Sequence, residues 1–287
     1  MLKDRVKSAL IVVLSLCCLL FLDLIFNTSA LSGFILIVAL LFGLWEFSEM
    51  AHKQGIDIHF KTTALFTFLW IFNRHANYDS NVCPYIDGVI IFGFFVSIAI
   101  LQVRRLGIGR DDECAVIATL GASLLGFAYL ALAGGYLYQI RLFGIDKADN
   151  QIYGIRYLMY FILIVKSTDI GAYFTGRQFG ATKLIAKLSP GKTVEGLIGG
   201  VSFAMFLAVI FNWFLGIGEL SFFGALFFGL VMGLLGQSAD LFESLLKRSS
   251  DVKDSGSIIP GMGGVLDVLD SLILTAPVAY WMFLIFA

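Results

Sequence analysis

Histidine, proline, cysteine and charge are all scarce in this sequence. Among 287 residues there are three histidines and four prolines, and Asp, Glu, Lys and Arg together make up 14%. A net charge of −1 leaves no basic excess for nucleic acid, and so few prolines with so little charge do not describe a disordered chain. The four cysteines, Cys17, Cys18, Cys83 and Cys114, lack metal-ligand spacing, and two of them sit in an apolar run, so neither a zinc site nor a disulfide framework follows. All three histidines, His52, His59 and His75, precede the acidic segments described below, which argues against a Ser-His-Asp device. What is abundant is apolar surface: 59% of residues are hydrophobic and mean hydropathy is +0.88, against 45–50% apolar and about 25% charged in ordinary soluble domains. The composition is that of an integral membrane protein.

A helix rises 1.5 Å per residue across a hydrocarbon core of about 30 Å, so spans are expected as runs of roughly 17–25 apolar residues. Eight runs meet this, near Ser8 to Phe26, Leu31 to Trp45, Ile86 to Val103, Cys114 to Tyr136, Tyr157 to Phe174, Gly196 to Phe214, Phe222 to Leu246 and Val265 to Phe286. The first is long for a cleaved signal peptide and reads as an uncleaved span. A ninth run, Thr62 to Phe72, is short, and charge decides whether to include it. Each added span moves every later loop to the opposite side, and cytoplasmic loops collect Lys and Arg. Nine spans with a cytoplasmic N-terminus put 15 basic residues on the cytoplasmic side: Lys3, Arg5, Lys7, Lys53, Lys61, Arg104, Arg105, Arg110, Arg177, Lys183, Lys187, Lys192, Lys247, Arg248 and Lys253. Four, Arg74, Arg141, Lys147 and Arg156, fall outside, and Lys166 lies within a span. Eight spans give 9 against 10, which is no bias. The expected fold is therefore all-α, a polytopic bundle of about nine transmembrane helices. Residues 1–156 form N-terminal spans and residues 157–287 a C-terminal catalytic region with cytoplasmic loops 175–195 and 247–264. At about 20 residues each, these loops cannot bury cores of their own and must lie against the helices.

Acids inside apolar runs cost on the order of 3 kcal/mol each on insertion scales and need a reason. In the eighth span Gln237, Asp240, Glu243 or Ser244, and Lys247 recur at helical spacing and share one face. In the ninth, Asp267, Asp270 and Ser271 share a face directly after Pro260-Gly261-Met262-Gly263-Gly264. The short connection makes these spans antiparallel neighbours whose acidic faces can meet. Carboxylates without histidine suit a hard cation such as Mg²⁺, which keeps positions open for water and phosphate. The alternative is that these residues are interhelical glue or headgroup contacts.

A second polar segment holds Arg177, Lys183, Lys187 and Ser189-Pro190-Gly191-Lys192-Thr193-Val194-Glu195-Gly196. Gly-Lys-Thr suggests a P-loop, but that motif needs glycine where this chain has Ala186, and no strand is read before it. A proline, hydroxyl side chains and a following Gly-rich apolar run fit a helix N-terminus able to hold an anion. The alternative is a basic loop resting on anionic headgroups. Lys166 and Asp169 can neutralise each other or act directly. Gly196 with Gly200, and Gly229 with Gly233, have the spacing of helix packing contacts. A phosphate oxygen attacking a phosphoanhydride requires positioning and charge neutralisation more than a strong base, and these residues suit it.

The stretch Ser244 to Asp270 resembles the C-terminal signature of the phosphatidate cytidylyltransferases, the CDP-diacylglycerol synthases. Asp169-Ile-Gly-Ala-Tyr-Phe-Thr-Gly-Arg177 and Ser189-Pro-Gly-Lys-Thr-Val-Glu-Gly-Leu-Ile-Gly-Gly200 resemble that family's two preceding motifs, in the same order. The resemblance is clear from about Tyr157 to the end. It implies transfer of CMP from CTP to phosphatidic acid, with release of pyrophosphate, in phospholipid biosynthesis. It further implies Mg²⁺, room for a second, monovalent cation such as K⁺, and a bacterial-type inner membrane with the active site on the cytoplasmic side. A homodimer is compatible with it. Carried over by position, Asp240 and Asp267 are metal ligands and, with Lys247, the catalytic residues. Ser189, Lys192, Thr193, Ser244, Lys247 and Arg248 would hold phosphates, and Lys253 and Asp254 would belong to the nucleotide or headgroup region. Four positions depart from the pattern: Met262 stands for the usual His, Val268 for Arg, Gly191 for Lys and Ala239 for Gly. Three other readings stay open: a CTP-dependent polyprenol or phytol kinase, an acid-lined ion or solute transporter, and an inactive lipid-binding homologue.

Overall fold

In the computed structural model, residues 2–76, 85–107, 113–145, 151–216 and 220–286 are described. Arg110, Lys147 and Cys83 lie outside them, as do the side chains of Lys3, Arg5 and Cys114. The described chain is helical apart from one small hairpin. In order it forms α1 (Leu2–Ile25), α2 (Ala30–Lys53), α3 (Phe60–Ala76) and α4 (Tyr85–Gly107). Helix α5 runs through Glu113–Gly126, a π-helical stretch Phe127–Ala133 and Gly134–Leu142. Then come α6 (Gln151–Phe179), β1 (Lys183–Ile185), β2 (Ser189–Thr193), α7 (Val194–Phe214), α8 (Phe222–Ser249) and α9 (Val265–Phe286).

Among the described residues, eight helices are long and apolar enough to cross a membrane, and they coincide with the eight apolar runs. Their outward faces carry large apolar side chains such as Ile117, Trp213, Phe223 and Ile285, as lipid contact requires. Helix α3 is the short ninth run. Its 17 residues extend about 25 Å.

The chain divides into two compact units. One comprises Met1–Asp23, Thr28–Tyr138 and Ser250–Val268. Within it α3 packs against α2, α4 and the π-helical stretch, burying Trp70, Ile71, Phe94 and Phe127. Two buried polar pairs stand out here. His59 Nε2 meets Gln102 Oε1 at 2.9 Å, and the Tyr138 hydroxyl meets His75 Nδ1 at 2.6 Å. A side chain at Gly135 would strike the Trp70 indole, so glycine is what lets this helix close on α3.

The other unit comprises Leu24–Asn27, Gln139–Ser249 and Leu269–Ala287. Its core is aromatic: Phe228 stacks on Phe283 at 5.0 Å, and Tyr157 meets the same ring edge-on at 4.9 Å. Helices α6, α7 and α8 pack through glycines. A Cβ at Gly200 would lie 2.6 Å from the Thr168 carbonyl oxygen, and one at Gly229 2.6 Å from Met205 Cα. Both pairs, Gly196 with Gly200 and Gly229 with Gly233, face neighbouring backbone or side chains, as their spacing predicts. The segment expected to be a cytoplasmic loop over 175–195 is more ordered than a loop. Helix α6 continues to Phe179, and the rest folds into the antiparallel β1–β2 hairpin.

Candidate active site

The hairpin is held at its base by Glu195 in the first turn of α7. Its carboxylate accepts hydrogen bonds from the Ala181 and Thr182 backbone N–H groups, each at 3.1 Å. Thr193 is the N-cap, its hydroxyl accepting from Gly196 N at 3.1 Å. That cap satisfies an N–H that the helix cannot pair internally. The expected helix N-terminus is therefore present, but a strand leads straight into it. The Ser189–Thr193 segment is itself β2, with no Gly-rich loop between strand and helix, so the P-loop stays excluded.

Lys192, penultimate in β2, ion-pairs with Asp240 on α8. Both are largely buried, at 18% and 29% side-chain exposure, so solvent screens this pair less than it would a surface one. Asp240 has two acidic neighbours. Glu243 and Asp270 each offer a carboxylate oxygen, and the three ligand atoms lie within 4.8 Å of one another. Cations surround the group: Lys247 pairs with Glu243 one turn along α8, and Lys166 of α6 is 3.7 Å from Asp270 Oδ1. The Lys166 ammonium also donates to the Ser271 hydroxyl at 2.8 Å. Asp169 of α6 accepts from Gln237 Nε2 at 3.0 Å. Three hard oxygen donors without imidazole or thiolate match the ligand preference of a divalent ion such as Mg²⁺. These charges lie on helices long and apolar enough to cross a membrane, and opposite-sign partners offset the cost of burying them.

The remaining sequence-selected residues are distributed as follows. Ser189 opens β2 and is half-buried, Ser244 and Lys247 are half-buried on the last turns of α8, and Arg248 is exposed beside them. Lys253 and Asp254 are exposed in the segment after α8. Thr193 is buried, with its hydroxyl engaged as the cap. In the other unit, Asp267 Oδ2 accepts from Gly264 N at 2.7 Å and from Ser255 N at 2.9 Å, at the start of α9. The turn before it uses left-handed glycines, Gly261 at φ 77° and Gly263 at φ 102°, and Met262 lies between them. Glu243, Asp270 and Lys166 complete the charged group, although the family resemblance assigned none of the three a role. Their signal was present in the three- and four-residue spacing of polar positions, which does not reveal which of them converge.

Comparison with known proteins gives this arrangement its context. The family model of the Cytidylyltransferase family matches residues 3–286. The phosphatidate cytidylyltransferase of Haemophilus influenzae is 33% identical over 290 residues, covering 96% of each chain. That of Synechocystis sp. is 32% identical over 262 residues, 83% of each chain. That of Bacillus subtilis is 39% identical over 168 residues, 58% of this chain and 60% of its own. With the match spanning nearly every residue, the chain belongs to the cytidylyltransferase family.

Proposed function

We propose that this protein transfers CMP from CTP to phosphatidic acid, giving CDP-diacylglycerol and pyrophosphate. The observation that carries the reading is the convergence of Asp240, Glu243 and Asp270 with Lys192, Lys247 and Lys166, in a chain that matches the family from end to end. In the reaction an oxygen of the lipid phosphate forms a bond to the α-phosphorus of CTP. The bond from that phosphorus to the bridging oxygen breaks, and pyrophosphate leaves with the electron pair. The nucleophile is already ionised, so no general base is required.

Asp240, with Glu243 and Asp270, would hold Mg²⁺. When bound, the ion would offset phosphate charge and polarise the α-phosphoryl group. Lys192, reaching Asp240 from the hairpin, sits where it can follow charge from carboxylate to triphosphate. Lys247 and Arg248 would neutralise the leaving pyrophosphate, with hydroxyls of Ser189 and Ser244 as further phosphate donors. Thr193 orients the segment through its cap. Lys253 and Asp254 are assigned to nucleotide or headgroup contacts, and Asp267 keeps the catalytic role of its motif. We place the reaction on the cytoplasmic side of a bacterial-type inner membrane, with nine crossings, a cytoplasmic N-terminus, a second monovalent cation such as K⁺, and a homodimeric assembly. The charge count supports the sidedness. With the site at the cytoplasmic rim, phosphatidic acid would enter from the leaflet and CTP from water.

Product analysis tests this reading. Purified protein supplied with CTP, phosphatidic acid and Mg²⁺ should release pyrophosphate and form CDP-diacylglycerol. Formation of CDP and a phosphorylated lipid alcohol would replace the reading with a kinase, and charge movement without nucleotide turnover would replace it with a transporter. Asp267→Asn should abolish turnover in a folded protein; near-normal product formation would remove that residue from the assignment.

A further inference from the structure

Glu46 follows directly on the apolar run of α2, still within that helix, and is only 1% exposed. A carboxylate buried in a span needs partners, and these come from more than two hundred residues away. Its Oε1 accepts from Val265 N at 2.9 Å, and its Oε2 accepts from Leu266 N at 2.8 Å and from the Ser255 hydroxyl at 3.0 Å. The next N–H back along the chain, Gly264, goes to Asp267 Oδ2 at 2.7 Å. The first turn of a helix has N–H groups that it cannot satisfy itself, and its end attracts negative charge. At α9 those groups are divided between two carboxylates, one from the helix and one from α2.

Two further features point to a close-built junction. The Ser255 hydroxyl lies 3.0 Å from Glu46 Oε2 and 2.9 Å from Asp267 Oδ2, and its single proton can serve only one of them at a time. A side chain at Gly256 or Gly264 would run into the Glu46 carboxylate, so the backbone approaches Glu46 where only glycine fits.

We propose that Glu46 is a positioning residue for the cytidylyl-transfer site. By capping α9 from α2, it fixes the start and rotation of that helix's first turn, and through them the placement of Asp267. It also keeps Asp267 from being the sole anchor of the signature segment. This inference rests on the CMP-transfer reading for its catalytic consequence, but not for its structural one.

The test uses the full-length protein in detergent. Glu46→Gln keeps the size but turns an N–H donor toward the donors of α9. Loss of a supporting partner of this kind lowers activity about 10–100-fold. The fall is expected in kcat with KM for CTP unchanged, and Glu46→Asp, which keeps the charge, should recover part of it. Independently of substrate, trypsin should cut after exposed Lys253 at least tenfold faster in Glu46→Gln than in the parent, on the order of the loss of one charged hydrogen bond. Cleavage after Lys183 and Lys187 should not change. Unchanged kcat with unchanged Lys253 cleavage would overturn the proposal, as would uniformly faster cleavage at all three sites with a lowered Tm. If Glu46→Gln does not accumulate, Ser255→Ala removes the shared hydroxyl and should move Lys253 cleavage in the same direction; no movement there would equally overturn it. If the parent forms no CDP-diacylglycerol, the reaction assignment fails while the Lys253 comparison still decides the capping.

Discussion

Lys192 and Asp240 form an ion pair at the candidate site. In the pair, the ammonium occupies the carboxylate on which a divalent ion would depend. Replacing Lys192 with Ala should therefore separate two quantities. Turnover should fall by about 10²-fold, in the range for loss of one charge-stabilising group. The Mg²⁺ concentration for half-maximal activity should fall as well, because the competing cation is gone. A Mg²⁺ titration of the variant's residual activity checks this, and a raised requirement would contradict it. Asp57, in the connection between α2 and α3, shows the weaker case. A hydrogen bond with His52 at 2.8 Å, and secondarily Arg105 at 3.2 Å, holds its carboxyl below the usual range. A depressed folded-state pKa contributes stability above the unfolded value near 3.9, and that contribution is lost as pH falls through the folded value. Because Asp57 is more than half exposed, Asp57→Asn should leave Tm at neutral pH nearly unchanged, as thermal unfolding in detergent can verify.

At the level of helices, glycine decides how near two rods can come. Gly229→Ala would drive a methyl group into the backbone of α7 at Ala204 and Met205, which must then shift. Overpacking of that kind costs about 1–3 kcal/mol. Gly121→Ala, in α5, meets nothing within 4 Å and should gain up to about 1 kcal/mol of helix propensity. Thermal unfolding of the two variants side by side should move Tm in opposite directions. The packing glycines were legible in the sequence because a four-residue repeat of small residues has one structural meaning, and the eight long spans were legible because the bilayer imposes their length. The hairpin was not: Lys183 to Thr193 has neither alternation nor a two-residue turn signal, and its order comes from Glu195 gripping Ala181 and Thr182. The site was legible in part. Spacing put Asp240 with Glu243 or Ser244 and Lys247 on one face and Asp267 with Asp270 on another, but that Asp270 is the acid joining Asp240 and Glu243 depends on helix rotation, which composition does not encode. Glu46 gave only the signal of an acid at the end of an apolar run, with Glu49 one turn further on and no local pattern to name its partners.

For the whole protein, catalysis and folding should respond separately to metal. The helices are held by lipid-facing apolar surface and interior packing, so chelation should stop CMP transfer without reducing helical content. Far-UV circular dichroism before and after chelation, with activity restored by Mg²⁺, tests this; loss of helicity would mean that the ion is part of the scaffold. The junction at Glu46 also bears on how the protein is made. Residue 46 leaves the ribosome long before residues 255 to 266, so α2 enters the bilayer carrying an acid whose partners have not yet been synthesised. Until the last helix is made, that carboxylate lacks the hydrogen bonds it has in the finished protein. The start of the last helix therefore supplies these hydrogen bonds only when synthesis is nearly finished.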